Sequence, residues 1–164
     1  MKLIIGLGNP DKEYSGTRHN IGHAIIDKLK ELNLTGLKLD KNTGFMNEAG
    51  FSVQKVVNFY KVDLQDFYLV HDDLDLPVGE YRFQFDRGPA GHHGVESVVE
   101  QLGSQAFNRI RVGIGHPRHA EAFGGGGQMS VADYVLKPFT SDEKMIIKLT
   151  VDRILNELLP IINS

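Results

Sequence analysis

Leu3-Ile4-Ile5-Gly6-Leu7 is an unbroken apolar run that stops at a glycine-and-proline turn, Gly8-Asn9-Pro10. A strand carries such a run only where both of its faces are covered, as in a parallel sheet packed between helices. Asn20 stands in the position of a helix cap, ahead of Ile21, Ile25, Leu29 and Leu32 at helical spacing. Strand, turn and helix in this order predict an α/β fold, whose functional crevice opens beyond the carboxyl ends of the strands. Asn9 and His19 are the polar side chains delivered to that place.

The remaining segments suit the same architecture. Leu37-Lys38-Leu39 reads as a single edge strand, and Asn47 as the cap of a helix over 48–60 with Val53, Val56, Val57 and Tyr60 inward. Phe67-Tyr68-Leu69-Val70 is a second buried strand. Residues 80–85 alternate, as in an antiparallel strand with one wet face. A glycine-rich loop at 88–94 leads into a helix over 95–102, and residues 109–115 form another alternating strand with Arg109 and Arg111 on one face. Thr140-Ser141-Asp142-Glu143 is a capping box for a last helix, with Ile147, Val151, Ile154, Leu155 and Leu158 as its buried stripe. The stretch 116–130, which contains Gly124 to Gly127, reads as either a disordered connection or a mobile lid. With 164 residues and neither repeat nor linker, the expected organisation is one domain over 1–164: a mixed twisted sheet covered by helices.

Composition narrows the chemistry. There is no cysteine, which removes disulfides, thiolate nucleophiles and thiolate metal sites. There is no G-x-S-x-G elbow either, so water is the expected nucleophile of any hydrolysis. Gly6-Leu7-Gly8 lacks the third glycine of a dinucleotide fingerprint, and Pro10 removes a backbone donor, so no nucleotide cofactor is expected. The start Met-Lys-Leu-Ile-Ile has no signal-peptide core and no apolar run nears a membrane span; the expectation is a cytoplasmic protein with no membrane partner. A net charge of −3 argues against coating nucleic acid, yet allows a local basic face drawn from Arg109, Arg111, Arg118 and Lys137.

The second buried strand runs into His71-Asp72-Asp73-Leu74-Asp75. Asp72, the first carboxylate after the strand, needs a cationic or hydrogen-bonding partner, and an imidazole from the first corner is the candidate. Asp73 and Asp75 read as turn formers. A histidine held by an aspartate is suited to deprotonate water near neutral pH, while asparagine amides hold a carbonyl or its oxyanion. Asn9, His19, Asn47, Asp72 and His92 supply those groups. His71, Asp72, His92 and His116 are an alternative metal set, without a compact ligand signature.

In order along nearly the whole chain, Gly6-Leu7-Gly8-Asn9-Pro10, Glu13-Tyr14, Thr17-Arg18-His19-Asn20, Phe45-Met46-Asn47, His71-Asp72-Asp73-Leu74-Asp75-Leu76-Pro77, Gly91-His92 and residues 111–117 resemble bacterial peptidyl-tRNA hydrolase. The resemblance implies a mixed sheet between helices and cleavage of the ester joining a peptide to the terminal ribose of tRNA, without cofactor or metal. It implies His19 as general base and Asp72 as the group that stabilises its catalytic form. Asn9 would position water or the substrate carbonyl and help reject free-amine aminoacyl-tRNA. Tyr14, Phe45, Met46, Asn47, Gly91, His92, His93 and Arg111 are the expected peptide- and tRNA-binding residues, and a monomer is expected. Three departures stand out: the stretch 35–42 is shorter than the family's, implying a sheet short of one strand; the C-terminal region is shorter; and His93 replaces the amide of a Gly-Gly-His-Asn-Gly loop. The competing reading is a weak or inactive tRNA-binding relative.

Overall fold

The computed structural model describes residues 1–119 and 129–164. Most of the connection read as a lid or a disordered stretch, at 116–130, lies outside the described residues. The sheet runs in the order β2-β1-β3-β5-β4. Strand β1 (Lys2–Gly6) pairs in parallel with β2 (Leu37–Lys41) and with β3 (Phe67–Asp73). Strand β5 (Asn108–Gly113) lies parallel to β3, and β4 (Tyr81–Phe85) closes the far edge antiparallel to β5. The helices are α1 (Ile21–Glu31), α2 (Ala49–Tyr60), α3 (His93–Leu102), α4 (Val131–Val135) and α5 (Ser141–Ile162).

The alternation of β1 divides the interior. Leu3, Ile5 and Leu7 enter one core with Val53 and Val57 of α2 and Val95 and Val98 of α3. Ile4 faces the other, with Ile25 and Leu29 of α1 and Ile154 and Leu158 of α5. Both faces are therefore dry, which is why β1 and β3 tolerate continuous apolar runs. The edge strand expected at Leu37 is present, and so is the capping box of α5, with Thr140 and Glu143 exchanging hydrogen bonds.

Several expectations need correction. Asn20 does not cap α1 with its side chain: it closes a 3-10 turn (Arg18–Asn20), and its amide is engaged by the backbone of Asn9. Leu32 follows the last turn of α1 and is exposed. Asn47 lies within a 3-10 turn (Met46–Glu48), so α2 begins at Ala49 with Glu48 as its flanking residue. Strand β5 has no wet face: from Arg109 to Gly113 it is buried between β3 and β4. The Arg109 guanidinium donates to the carbonyls of Arg87 and Gly88. Arg111 donates from Nε to Asp73 Oδ2 at 2.8 Å and from Nη1 to Gln84 Oε1 at 2.7 Å. Internal acceptors make these burials tolerable.

The glycines at the first corner have packing roles. A Cβ on Gly8 would meet the His23 ring at 2.7 Å. One on Gly22, in the first turn of α1, would lie 2.5 Å from the Val70 carbonyl oxygen and 2.6 Å from the Leu7 nitrogen. Both of those obstacles are backbone, in β3 and just beyond β1, and cannot swing aside. Gly22→Ala is therefore expected to cost about 1–3 kcal/mol by overpacking. Urea unfolding should show a lower midpoint at an unchanged slope; an unmoved midpoint would mean that α1 does not sit this close to the sheet.

Candidate active site

The 3-10 turn after the first strand directs its residues to different parts of the fold. Thr17 Oγ1 donates to the Tyr14 carbonyl at 2.7 Å. The Arg18 side chain enters the α4–α5 side of the core. Asn20 grips the backbone of Asn9, accepting from its N–H at 2.8 Å and donating to its carbonyl at 3.0 Å. Asn42 treats Gly8 in the same way, at 2.9 Å in each direction. Two asparagines thus staple the Gly8-Asn9 turn from either side. With its backbone fixed, Asn9 accepts the Met46 N–H at 2.8 Å through Oδ1, which leaves its Nδ2 amide as a donor at the cleft.

His19 is left to meet β3. Its Nδ1 lies 2.7 Å from Oδ2 of Asp72, a residue only 2% exposed. The other carboxylate oxygen, Oδ1, is 2.7 Å from Nε2 of His92. His92 is also the N-cap of α3: its Nδ1 accepts from the Val95 N–H at 3.2 Å. An accepting Nδ1 requires the proton on Nε2, so α3 fixes the tautomer in which His92 donates to Asp72. His19 donates from Nδ1, and its Nε2 keeps the lone pair. Behind them, His71 donates from Nδ1 to the Asp72 carbonyl at 2.7 Å, and its ring centroid lies 5.0 Å from that of His92.

These contacts set the protonation states. Burial alone would raise the pKa of Asp72, but the charges and hydrogen bonds of His19 and His92 hold it well below the usual carboxylate range. Burial also works against a charged His19, and the attraction and hydrogen bond of Asp72 outweigh it, for a net rise. His71 is pushed down to about 3, first by burial and then by the neighbouring His92, so it stays neutral at any physiological pH.

The resulting cleft has a volume of about 620 Å³. Asn9, Tyr14, His19, Phe45, Met46, Asn47, Asp72, Gly91, His92 and His93 all line it, so ten of the residues singled out in the sequence come together. Arg111 is not among its lining residues, because the sheet consumes its donors. Arg109 is withdrawn in the same way, and neither is free to meet phosphate. His93 sits at the rim with an exposed ring, its Nδ1 3.8 Å from Glu96 Oε2. An apolar part of the lining comes from Val131, Ala132 and Val135 of α4 and from Leu136 just after it, which the sequence did not reveal because five residues are too few to show a helical period. Asn42 was missed for another reason: a stapling amide has no sequence signature.

The alternative metal set does not assemble among the described residues. His71 Nδ1 is committed to a carbonyl, and His116 Nδ1 accepts from the Arg118 N–H. The groups that do bring ligand atoms within 4.8 Å of one another are His19, Asp72 and His92. There each imidazole nitrogen is at hydrogen-bond distance from its own carboxylate oxygen.

Comparison with known proteins identifies the family. The sequence model of the peptidyl-tRNA hydrolase family matches residues 3–164. The peptidyl-tRNA hydrolase of Bacillus cytotoxicus is 38% identical over an alignment of 175 residues, covering 95% of this chain and 90% of the relative. That of Geobacillus thermodenitrificans is 40% identical over 163 residues, covering 88% of this chain and 83% of the relative. The crystal structure of peptidyl-tRNA hydrolase from Acinetobacter baumannii matches with a TM-score of 0.75 at 28% identity, covering 100% of this chain and 95% of that one. In sequence along nearly its full length, and in fold, the chain belongs to the peptidyl-tRNA hydrolase family.

Proposed function

We propose that this protein hydrolyses the ester bond between a peptide, or an N-blocked amino acid, and the terminal ribose of tRNA, with His19 as general base on water. The observation that carries this reading is the 2.7 Å contact from His19 Nδ1 to the buried Asp72 carboxylate. In that arrangement Nε2 takes a proton from water as the oxygen attacks the ester carbon. Asp72 stabilises the imidazolium that forms. The Asn9 Nδ2 amide donates to the carbonyl oxygen as negative charge develops on it. Collapse of the tetrahedral intermediate breaks the bond to the ribose oxygen, which receives the proton back from His19. The products are a peptide with a free carboxyl group and a tRNA with its terminal hydroxyl restored.

The rest of the cleft suits such a substrate. Tyr14 and Phe45 meet edge to face, with centroids 6.2 Å apart, and offer aromatic surface to the unpaired end of an RNA. The α4 wall offers apolar surface to the peptide. The reaction as written needs no cofactor or metal, and the assembled Asn9, His19 and Asp72 support turnover over a relative that only binds. The two cores share one sheet, which supports a single domain over 1–164, and a monomer is the state proposed for it. Among the described residues no helix is long and apolar enough to cross a membrane. The reading places the protein in the cytoplasm with its tRNA substrate.

His19→Ala is expected to lower turnover of an N-acetylated aminoacyl-tRNA by about 10²–10⁴-fold, the usual worth of general-base catalysis. Affinity for the tRNA should be retained, and parent activity should survive a chelator. Turnover within a few-fold of the parent would sink the assignment.

The pH dependence follows from the sign of the His19 shift. The base must be neutral, and Asp72 raises its pKa above the ordinary imidazole value of 6.5. The acid limb of kcat/KM should therefore inflect above 6.5. In Asp72→Asn the attraction is gone and burial remains, so the residual activity should be lower while its acid limb moves to lower pH. A limb that stays in place would show that Asp72 does not govern the protonation of His19.

A further inference from the structure

Arg18, immediately before the proposed base, is only 3% exposed, and its partner Glu143 is 1% exposed. Arg18 Nη2 donates to Glu143 Oε1 at 2.7 Å, and Nη1 donates to the Tyr134 carbonyl at 3.1 Å. The guanidinium also lies 3.9 Å from the centroid of the Tyr134 ring. The same turn is tied through its backbone, since the Arg18 N–H donates to the Lys137 carbonyl at 3.1 Å and Thr17 forms a β-bridge with Pro138. Glu143 Oε1 in addition accepts the Thr140 N–H at 2.9 Å, so one carboxylate caps α5 and receives Arg18. Tyr134 in turn donates from its hydroxyl to the Ile114 carbonyl at 2.6 Å, just beyond β5.

Stability alone does not account for this pair. A buried ion pair is often no better for stability than well-packed apolar side chains of similar volume, and Arg18 Nε has no partner at all. What the pair does achieve is geometric. It joins the turn that carries His19 to α5 through Glu143 and to α4 through Tyr134, next to Val135 and Leu136, which line the cleft. We propose that Arg18 and Glu143 are positioning residues: their ion pair ties the His19 turn to the start of α5 and holds the Arg18 guanidinium on Tyr134 of α4, and so sets the placement of the ester relative to the base. The inference rests on the hydrolase reading above. It concerns residues that touch neither substrate nor water, and it acts through His19 and through the wall.

The test compares the parent with Glu143→Gln, Arg18→Met, the double variant, and Arg18→Lys. Each is assayed for kcat and KM on one N-acetylated aminoacyl-tRNA and for its thermal midpoint. Glu143→Gln keeps an acceptor for Thr140 while removing the charge that meets Arg18. A misplacement of about 1 Å can cost about 10²-fold; both single variants should lose about 10- to 100-fold in kcat, with KM changed only a few-fold. The double variant leaves neither charge buried alone, so its midpoint should recover relative to Arg18→Met, while its kcat stays low. That separation of stability from turnover is what a merely structural pair would not produce. Arg18→Lys keeps the charge but not the fork that serves Glu143 and Tyr134 together, so it should fold and still lose kcat. If the single variants fail to fold, the double and lysine variants decide the matter. Parental kcat in any folded variant, or kcat that recovers with the midpoint, overturns the proposal. Failure of the hydrolase reading would look different: a parent without turnover, or one indifferent to His19→Ala.

Discussion

A carboxylate buried at the end of a parallel strand is tolerable only if its charge is met, and much of this structure exists around the meeting at Asp72. Two imidazoles reach it from opposite directions, one from the turn before α1 and one from the cap of α3. A third histidine, His71, holds its carbonyl from behind. Because each carboxylate oxygen serves a different ring, the side chain cannot rotate to favour one partner without abandoning the other. His92 is further constrained, since its second nitrogen is spent on the first turn of α3. The protonation state of the site is thus built into the fold rather than left to solvent: two rings donate toward Asp72, and the free lone pair belongs to His19.

Holding His19 at that carboxylate requires that the turns around it not drift. Backbone contacts between asparagine amides and the Gly8-Asn9 turn supply this, with Asn20 and Asn42 each making a two-way grip. Such pairing satisfies buried N–H and C=O groups that no strand partner can reach. It also explains the small residues: where β1, the turn and α1 converge, Gly6, Gly8 and Gly22 sit against backbone or ring atoms that a methyl group would strike. The same residues that superficially suggest a phosphate-binding loop are there for close packing.

The sequence revealed most of the sheet because parallel strands buried on two faces leave continuous apolar runs, as at Leu3–Leu7 and Phe67–Val70. It brought out Asn9 and His19 as polar residues after the first apolar run and Asp72 as the first carboxylate after the second, although Asp72 proves to lie within β3 rather than beyond it. It misled at Asn20 and Asn47, where the amide that suits a helix cap suits other uses equally well; at Asn20 the long-range grip on Asn9 won. It misled again at β5, where arginine alternating with isoleucine and valine imitates a solvent-facing strand. What hides in such a pattern is the supply of internal acceptors: Asp73, Gln84 and the carbonyls of Arg87 and Gly88 come from three other parts of the chain. No local rule anticipates that. The role of His92 lay between the two cases: its loop was legible, but its position as second partner of Asp72 depends on where α3 begins.

The fate of the arginines bears on how an acidic protein handles an RNA substrate. Arg18, Arg109 and Arg111, three of the seven in the chain, are buried and bonded internally. Their charge is consumed in holding the turn before α1, the loop after β4 and the end of β3. Phosphate contacts must then come from exposed lysines and the remaining arginines on a surface whose net charge is −3. Each phosphate that those residues neutralise adds about one unit of salt dependence to the affinity. In the proposed reading the cleft discriminates, with an aromatic pair, apolar lining and one amide donor beside His19. The buried arginines thus serve the fold: their hydrogen bonds hold the turn before α1, the loop after β4 and the end of β3, the elements from which the cleft is built.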